Sequence, residues 1–520
     1  MSSEKCFVKG YFFDQSGNYF QGEELLNYFH AVESFTDFEE RVSYANGCFA
    51  VVLKNENDLF VATDRIRSVP LFYARFKGNW IVSDNPYYIT EKTGFKAPDS
   101  TAVTEFLAAG YVTGNDTLVE ELRQVQAGEL IHFKKDDLHA KFYFSYRVND
   151  ALDEDYKDMK KAGNKVFNNA MQRLVKSLEG KTAVIPLSGG YDSRLIAVML
   201  KKSGFERVIC FTYGRKDNTE VSVSKRVAEK LNYPWYFVEY NDDLIKGFIK
   251  DAEFRDYYRF ASSMTSMFFM QEYFAVRYLK ENRLIPQESV FIPGHSGDFL
   301  AGSQLNKHSN LNLDEEESSI VQRIFDVKYC YVKPDKHDTE KIHDRIHKSL
   351  KEKYSGENSL SYSIHEDWDF KEKLAKFNFN SITSYSFFGY EYRLPFWDNE
   401  LIDFFRFLPL HVKINKYLYD DILSNEYFEP YKLNFTRELQ PGESDLRKLK
   451  LKTRIKKHLP EDVKRLFVNS KDPLYYKEIT SYFVEDMEKN GIKIKIHGNS
   501  YNSLIIQWYI YQLKKYLNDL

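Results

Sequence analysis

Short runs in which apolar and polar residues alternate fill the first quarter of the chain: Phe7–Phe13, Cys48–Lys54, Leu59–Thr63, Leu71–Phe76, Trp80–Asp84 and Glu129–Phe133. A period of two, with turn residues between the runs, predicts half-buried strands, so residues 1–150 read as an antiparallel β-rich domain with a few helices. From about Asp155 the pattern changes. Long amphipathic helices now alternate with isolated apolar strands at Ala183–Leu187, Val208–Thr212, Trp235–Glu239 and Val290–Ile292. That rhythm predicts an α/β domain over residues 151–520, built on a doubly wound parallel sheet whose ligand sits beyond the carboxyl ends of its strands. The stretch from roughly Asn310 onward is mostly helical and charged, and forms its helical C-terminal part.

Composition narrows the classes. At 520 residues the chain is long enough to bury its own cores. Lys and Arg number 73 against 76 Asp and Glu, a net charge of −3, which argues against a whole-protein field for nucleic acid or membrane. The basic run Arg447–Lys457 reads as a solvated helix face. Cys6, Cys48, Cys210 and Cys330 are scattered without a CxxC pair or zinc spacing, as expected of reduced thiols in a cytosol. Met1–Lys5 carries no apolar targeting core, and no uninterrupted apolar segment has bilayer length, so a soluble, cytoplasmic protein is expected. The 42 phenylalanines and 38 tyrosines are spread evenly and read as core.

The candidate chemistry starts at Ile185-Pro186-Leu187-Ser188-Gly189-Gly190-Tyr191-Asp192-Ser193-Arg194. A strand ending at Leu187 and a helix running through Arg194–Lys201 put Ser188–Ser193 at a helix N-terminus, where unpaired N–H groups and the helix dipole favour an anion. Gly189 and Gly190 let the backbone approach a phosphate, and the Ser188 and Ser193 hydroxyls add donors. Asp192 would repel a phosphate unless a divalent cation stood between them, which predicts Mg²⁺. The Gly-Lys-Ser/Thr ending of the triphosphate P-loop is missing. The pattern S-G-G-x-D-S instead resembles the PP-loop of ATP pyrophosphatases, which split ATP between its α and β phosphates.

One later stretch repeats this grammar, and another mixes charged and apolar residues in an order hard to explain as core. Phe291–Ser303 is an apolar strand end followed by Pro293, Gly294, His295 and an acidic residue, Asp298, which is a good partner for Asp192 on the metal. His295 reads either as a cavity-facing group or as a loop histidine bonded to backbone. Gly389–Leu401 carries Glu391, Arg393 and Pro395. Pro395 stops any preceding helix and places Glu391 and Arg393 on an exposed or site-facing edge, a site role and a surface ion pair being equally open.

Taken in order, the three stretches resemble the asparagine synthetase family, whose S-G-G-x-D-S loop is followed by a G-E-G-x-D-E turn and by E-x-R-x-P-F-x-D. The corresponding residues are Ser188–Ser193, Gly294–Phe299 and Glu391–Asp398, and the likeness spans about residues 160–425. The resemblance implies adenylation of a substrate carboxylate by ATP, release of pyrophosphate, and attack of an amine on the acyl-AMP. It implies that Asp192 and Asp298 carry Mg²⁺, that Ser188, Gly189, Gly190 and Ser193 cradle the pyrophosphate, and that Pro186, Tyr213, Pro293 and Gly294 frame the nucleotide, Gly294 leaving room for the adenosine. His295 falls where asparagine synthetases carry a glutamate and β-lactam synthetases a tyrosine, so it becomes the candidate base, with Glu391 as its partner. Phe299 replaces an acidic residue. For the family's transition-state lysine, Lys416, Lys432 and Arg437 are the candidates, Lys416 standing first.

The family's first domain hydrolyses glutamine with an N-terminal cysteine. Asn46–Ala50, Asp64-Arg65, Pro70–Tyr73 and Val82–Asp84 resemble its second half, and Gly17–Gln21 faintly resembles an earlier segment. Cys6 then stands too close to Gly17, and the stretch that supplies a glutamine-gripping arginine is missing. The expectation is a degenerate, Ntn-hydrolase-like scaffold without glutaminase activity, in which Cys48 is core; Cys6, followed by Gly10, is left open as a remnant nucleophile exposed by trimming of the residues before it, ahead of Ser2. The leading reading is an ATP-dependent amide ligase acting on a small-molecule or peptide carboxylate, with free ammonia, the substrate's own amine as in lactam or lasso-peptide ring closure, or a partner's amine as nucleophile. A glutamine-dependent asparagine synthetase and a non-catalytic nucleotide-binding scaffold are the alternatives, and a homodimer is left open.

Overall fold

The computed structural model describes residues 3, 5–55, 58–305, 316–351, 359–435, 472–495 and 500–520. Ser2, Arg437 and the basic run Arg447–Lys457 lie outside them. The alternating runs at the front form two antiparallel sheets. The larger has the order β2-β1-β3-β4-β8-β9, from β1 (Cys6–Phe13), β2 (Tyr19–Gln21), β3 (Asn46–Asn55), β4 (Asp58–Thr63), β8 (Glu129–Phe133) and β9 (Leu138–Phe142). The smaller is β6-β5-β7, from β5 (Phe72–Phe76), β6 (Asn79–Ser83) and β7 (Arg123–Gln124). β1 pairs with β3 along its whole length, Cys6 opposite Leu53 and Phe13 opposite Asn46. Val8 and Phe12 of β1 therefore fall on the same buried face as Leu25, Phe29 and Phe38 of the helices packed there.

The rear half holds a parallel sheet of order β12-β11-β10-β13-β14: β10 (Thr182–Pro186), β11 (Val208–Gly214), β12 (Trp235–Glu239), β13 (Ser289–Phe291) and β14 (Glu391–Tyr392). β10 is flanked by β11 and β13. The connection after β10 passes through the helix Tyr191–Lys202 to one side, and the chain later returns to β13 on the other. The turns leaving β10 and β13 therefore diverge and open a crevice at the carboxyl ends of both strands. β14, two residues long and polar at its start, was not legible as a strand, and its pairing opposite Val290 and Phe291 fixes where Glu391 lies.

That register overturns one sequence expectation. Glu391 and Arg393 are not on a site-facing edge. Lys181, the residue before β10, meets Glu391 Oε1 at 2.7 Å, which puts this carboxylate at the amino ends of the strands, opposite the crevice. Gln21 and Arg393 donate to Glu391 Oε2, each at 2.8 Å. Arg393 is 2 % exposed. Its guanidinium donates to Tyr19 Oη at 2.6 Å and lies over the Tyr11 ring at 4.3 Å. Burial would raise the Glu391 carboxyl, but the bond from Lys181, the charge of Arg393 and the bond from Gln21 together hold it at about 2.

The front sheets and the rear half share their packing. One contiguous apolar cluster runs from Tyr11, Phe72 and Phe106 through Val184 and Phe291 to Trp508 and Leu517. The last helix, Tyr501–Asp519, returns to the front half, where Tyr509 and Tyr87 hydroxyls meet at 3.1 Å and Tyr516 meets Thr90 at 3.0 Å. Cys48 is buried, as the sequence reading had it; Cys6 and Cys210 are also buried free thiols, and Cys330 is exposed. Among the described residues no helix is long and apolar enough to cross a membrane.

Candidate active site

The crevice is a cavity of about 600 Å³. The sequence-predicted residues Pro186, Ser188, Gly190, Asp192, Ser193, Tyr213, Pro293, Gly294, His295, Asp298 and Lys416 all line it. Two others do not. The Gly189 carbonyl accepts from the buried Arg194 at 2.8 Å, and its Cα faces Glu220, so it shapes the turn without reaching the cavity. Glu391 lines a separate cavity between the front and rear halves. It is therefore not the partner of His295; Ser381 is, its Oγ lying 2.7 Å from His295 Nε2.

The phosphate-type turn is preformed by its own side chains. Gly190 caps the helix Tyr191–Lys202 in an extended conformation. The Ser188 N–H donates to Ser193 Oγ and the Gly190 N–H to Ser188 Oγ, each at 3.1 Å. Gly294 serves a different purpose from the one expected of it. A Cβ there would stand 2.5 Å from the Ser193 amide nitrogen, so the space it leaves is taken by the start of that helix. Gly297 works in the same way, its missing Cβ falling 2.5 Å from Tyr419 Oη and 2.7 Å from Asp192 Cγ. Between the two glycines Ser296 holds φ at 72°, a conformation that costs an L-residue about 1–3 kcal/mol and is sustained by the packing on both sides.

These close approaches bring Asp192 and Asp298 together. Asp192 Oδ1 accepts from Tyr419 Oη at 2.8 Å, and its Oδ2 accepts from the Asp298 N–H at 3.0 Å. Ser303 donates to Asp298 Oδ2 at 3.0 Å. Burial, and then the Asp298 charge, push Asp192 up to about 7 despite those donors. Two facing carboxylates with such a penalty fit a hard divalent cation that would neutralise them. Among the described residues no group of three or more His, Cys, Asp and Glu side chains converges for a metal. A Mg²⁺ held here would complete its octahedron with water and phosphate oxygens, as that ion ordinarily does. Lys416 reaches the same wall from a left-handed backbone at φ 57°, its ammonium 3.3 Å from Asp420 Oδ1. Lys432 does not line the cavity.

Gln271, Glu272, Tyr191 and Asp420 line the cavity without having been singled out in the sequence. Glu272 is 6 % exposed and accepts from the Tyr213 hydroxyl at 3.1 Å and from the Tyr385 hydroxyl. Gln271 donates to the Tyr213 hydroxyl at 2.9 Å. Burial raises Glu272 to about 7, only partly offset by the two tyrosine donors. A signal was present: Gln271-Glu272 is the polar break inside the apolar stretch Met267–Val276. His295 is held neutral, its pKa drawn down to about 4 by burial.

Comparison with known proteins finds matches over both halves of the chain. Residues 166–492 match the family described as asparagine synthase, and residues 29–144 match the glutamine amidotransferase domain. Over 211 residues the chain is 24 % identical to the microcin J25-processing protein McjC of Escherichia coli, covering 39 % of this chain and 38 % of that one. Over 85 residues it is 33 % identical to the tRNA-specific 2-thiouridylase MnmA of Chlamydia trachomatis, covering 14 % of this chain and 24 % of that one. The chain thus spans well under half the length of the curated relatives it matches. Among solved structures, the NH3-dependent NAD synthetase of Campylobacter jejuni aligns with 39 % of this chain and 99 % of its own, at 14 % identity and a TM-score of 0.21. The glutamine phosphoribosylpyrophosphate amidotransferase of B. subtilis aligns with 56 % and 62 %, at 12 % identity and a TM-score of 0.20.

Proposed function

The chain belongs to the asparagine synthase family of ATP-utilising ligases, and on that premise we propose that it joins a carboxylate to an amine through an acyl-adenylate. A carboxylate oxygen of the substrate attacks the α phosphorus of ATP, and the bond to the β-phosphate oxygen breaks with release of pyrophosphate. The amine nitrogen then bonds to the acyl carbon, loses a proton, and AMP departs with the electron pair of the C–O bond. The observation that carries this reading is the convergence of the Ser188–Ser193 turn, Asp192, Asp298, Lys416 and His295 on one cavity.

Each residue has a physical task. The Tyr191–Ser193 helix start presents N–H groups and a positive dipole end to the departing diphosphate. Asp192 and Asp298 would hold Mg²⁺, which when bound neutralises charge on the phosphate oxygens. Lys416 brings a fixed positive charge to the same wall, where it can stabilise charge that develops on the phosphate in either step. His295, neutral at pH 7, takes the proton from the amine as the C–N bond forms.

The nitrogen does not come from glutamine in this reading. Cys6 is 2 % exposed, packed among Val8, Phe12 and Leu53, and its thiol is pushed up to about 11 by burial. Asn46, in the stretch resembling the amidotransferase domain, is occupied by Asp398 at 3.0 Å and by the Asn399 N–H at 2.8 Å. The likeness to a microcin J25-processing protein favours a peptide carboxylate over free aspartate. The test is ATP–pyrophosphate exchange by the full chain with Mg²⁺, run with L-aspartate and with a library of Asp- and Glu-containing peptides, beside a glutaminase assay. Exchange with peptides and no glutamate release is expected. Exchange with no acid refutes the ligase reading, and glutamate release refutes the account of the front half.

A further inference from the structure

His295 carries two ring nitrogens whose surroundings differ sharply. Nε2 lies 2.7 Å from Ser381 Oγ, whereas Nδ1 is buried with no partner. The same Ser381 hydroxyl lies 2.7 Å from the Asn378 carbonyl oxygen, three residues back along its helical turn. A hydroxyl has one hydrogen to give, and a carbonyl can only accept. That hydrogen is therefore committed to Asn378, and Ser381 turns a lone pair toward the imidazole. A lone pair can be matched only by an N–H, so the ring proton belongs on Nε2. A neutral imidazole has a single N–H, which leaves Nδ1 as the acceptor.

From this geometry we propose that Ser381 is a positioning residue: it fixes His295 as the Nε2–H tautomer and so holds Nδ1 ready for an N–H of the attacking amine. Its consequence for catalysis rests on the base role given to His295 above. An acceptor buried without a donor carries a desolvation penalty, and an amine whose N–H reaches Nδ1 relieves it. In the step itself the amine N–H bond breaks as the N–C bond to the acyl carbon forms, and the proton passes to Nδ1. The imidazolium that results donates from both nitrogens, and the bond from Nε2 to Ser381 is kept throughout. The opposite tautomer would present an N–H to the amine and would set two lone pairs against each other at Ser381. The serine therefore decides which nitrogen can do the work without itself touching substrate.

The test reads the tautomer directly and needs no substrate. The full chain is labelled with ¹⁵N-histidine, and the His295 ring resonances are assigned by their loss in His295→Gln. Wild type is expected to show a protonated Nε2 and an unprotonated Nδ1. Ser381→Thr, which keeps the hydroxyl, should give the same pattern. Ser381→Ala should move both nitrogens toward averaged shifts of a mixed tautomer population, and Ser381→Cys, with its weaker acceptor, serves as the second variant should the alanine form not fold. A proton on Nδ1 in wild type, or an unchanged Nε2–H pattern in the alanine or cysteine variant, overturns the proposal. If the tautomer responds as expected while His295→Ala leaves amide formation unaffected, the base reading fails and the assignment to Ser381 stands.

Discussion

The backbone N–H of Asp298 donates to Asp192 Oδ2 across 3.0 Å, so the turn after β13 is tied to the first residues of the helix after β10 through one of the site's own carboxylates. The pair is poised for a cation: burial and the neighbouring Asp298 charge push the Asp192 carboxyl up to about 7.

Asp192→Asn should therefore lower ATP–pyrophosphate exchange by at least about 10–100-fold, since loss of a metal ligand costs no less than loss of a group that merely supports one. EDTA should abolish exchange in wild type, with Mg²⁺ restoring it. Exchange in the asparagine variant within a few-fold of wild type would remove Asp192 from the metal site.

Gly294→Ala is expected to damage both fold and site. Its methyl would meet the Ser193 backbone, which cannot rotate away as a side chain would. A loss of about 1–3 kcal/mol in unfolding free energy is expected from such overpacking, together with weakened nucleotide binding. Denaturant melts and binding of a fluorescent ATP analogue measure the two effects on the same sample.

His295→Ala should separate the two chemical steps. With an acid that supports exchange, and hydroxylamine as the amine, pyrophosphate exchange should persist while hydroxamate formation falls by about 10²–10⁴-fold, the range for loss of a general base. An equal loss of both activities would show that the imidazole acts before the amine arrives.

Glu391→Gln probes the opposite end of the sheet. The folded state holds this carboxyl at about 2, below its ordinary value of 4.5, so its contribution is present above pH 4.5 and disappears as pH falls toward 2. Wild type should lose more stability than the glutamine variant over that interval in parallel urea titrations. Because the side chain is 40 % exposed, the difference should be modest.

Glu272→Gln should show the reverse dependence. This carboxyl is raised from 4.5 to about 7, so the folded state is favoured at low pH and that advantage is lost as pH rises through 7. The glutamine variant has no such loss. Relative to wild type it should gain on the order of 3 kcal/mol between pH 4.5 and 8, measured by denaturant unfolding.

The strands of the front sheets and the core of the parallel sheet were legible because their apolar positions keep a period of two or run unbroken, and the two small-residue turns that end in Asp192 and Asp298 pointed to the crevice. The position of Glu391 was not. Its place two residues before the Arg-x-Pro-Phe order said nothing about which end of a strand the side chain would occupy, and β14 is too short to announce itself by pattern. Gly294 was read as empty space for a ligand because a sequence does not reveal what stands opposite a missing Cβ. Ser381 lies 86 residues from His295 and could not have been paired with it by spacing.

The seam built on Arg393 limits how the chain can be cut. Its guanidinium is grounded by Tyr19 and Gln21 from the front half and by Glu391 and Ser177 from the rear. A truncation that discards the amidotransferase-like portion would strand a desolvated cation against an apolar wall that has lost its other side. The front half is thereby part of the foundation on which the rear half stands, and the two halves share one buried cation as a keystone.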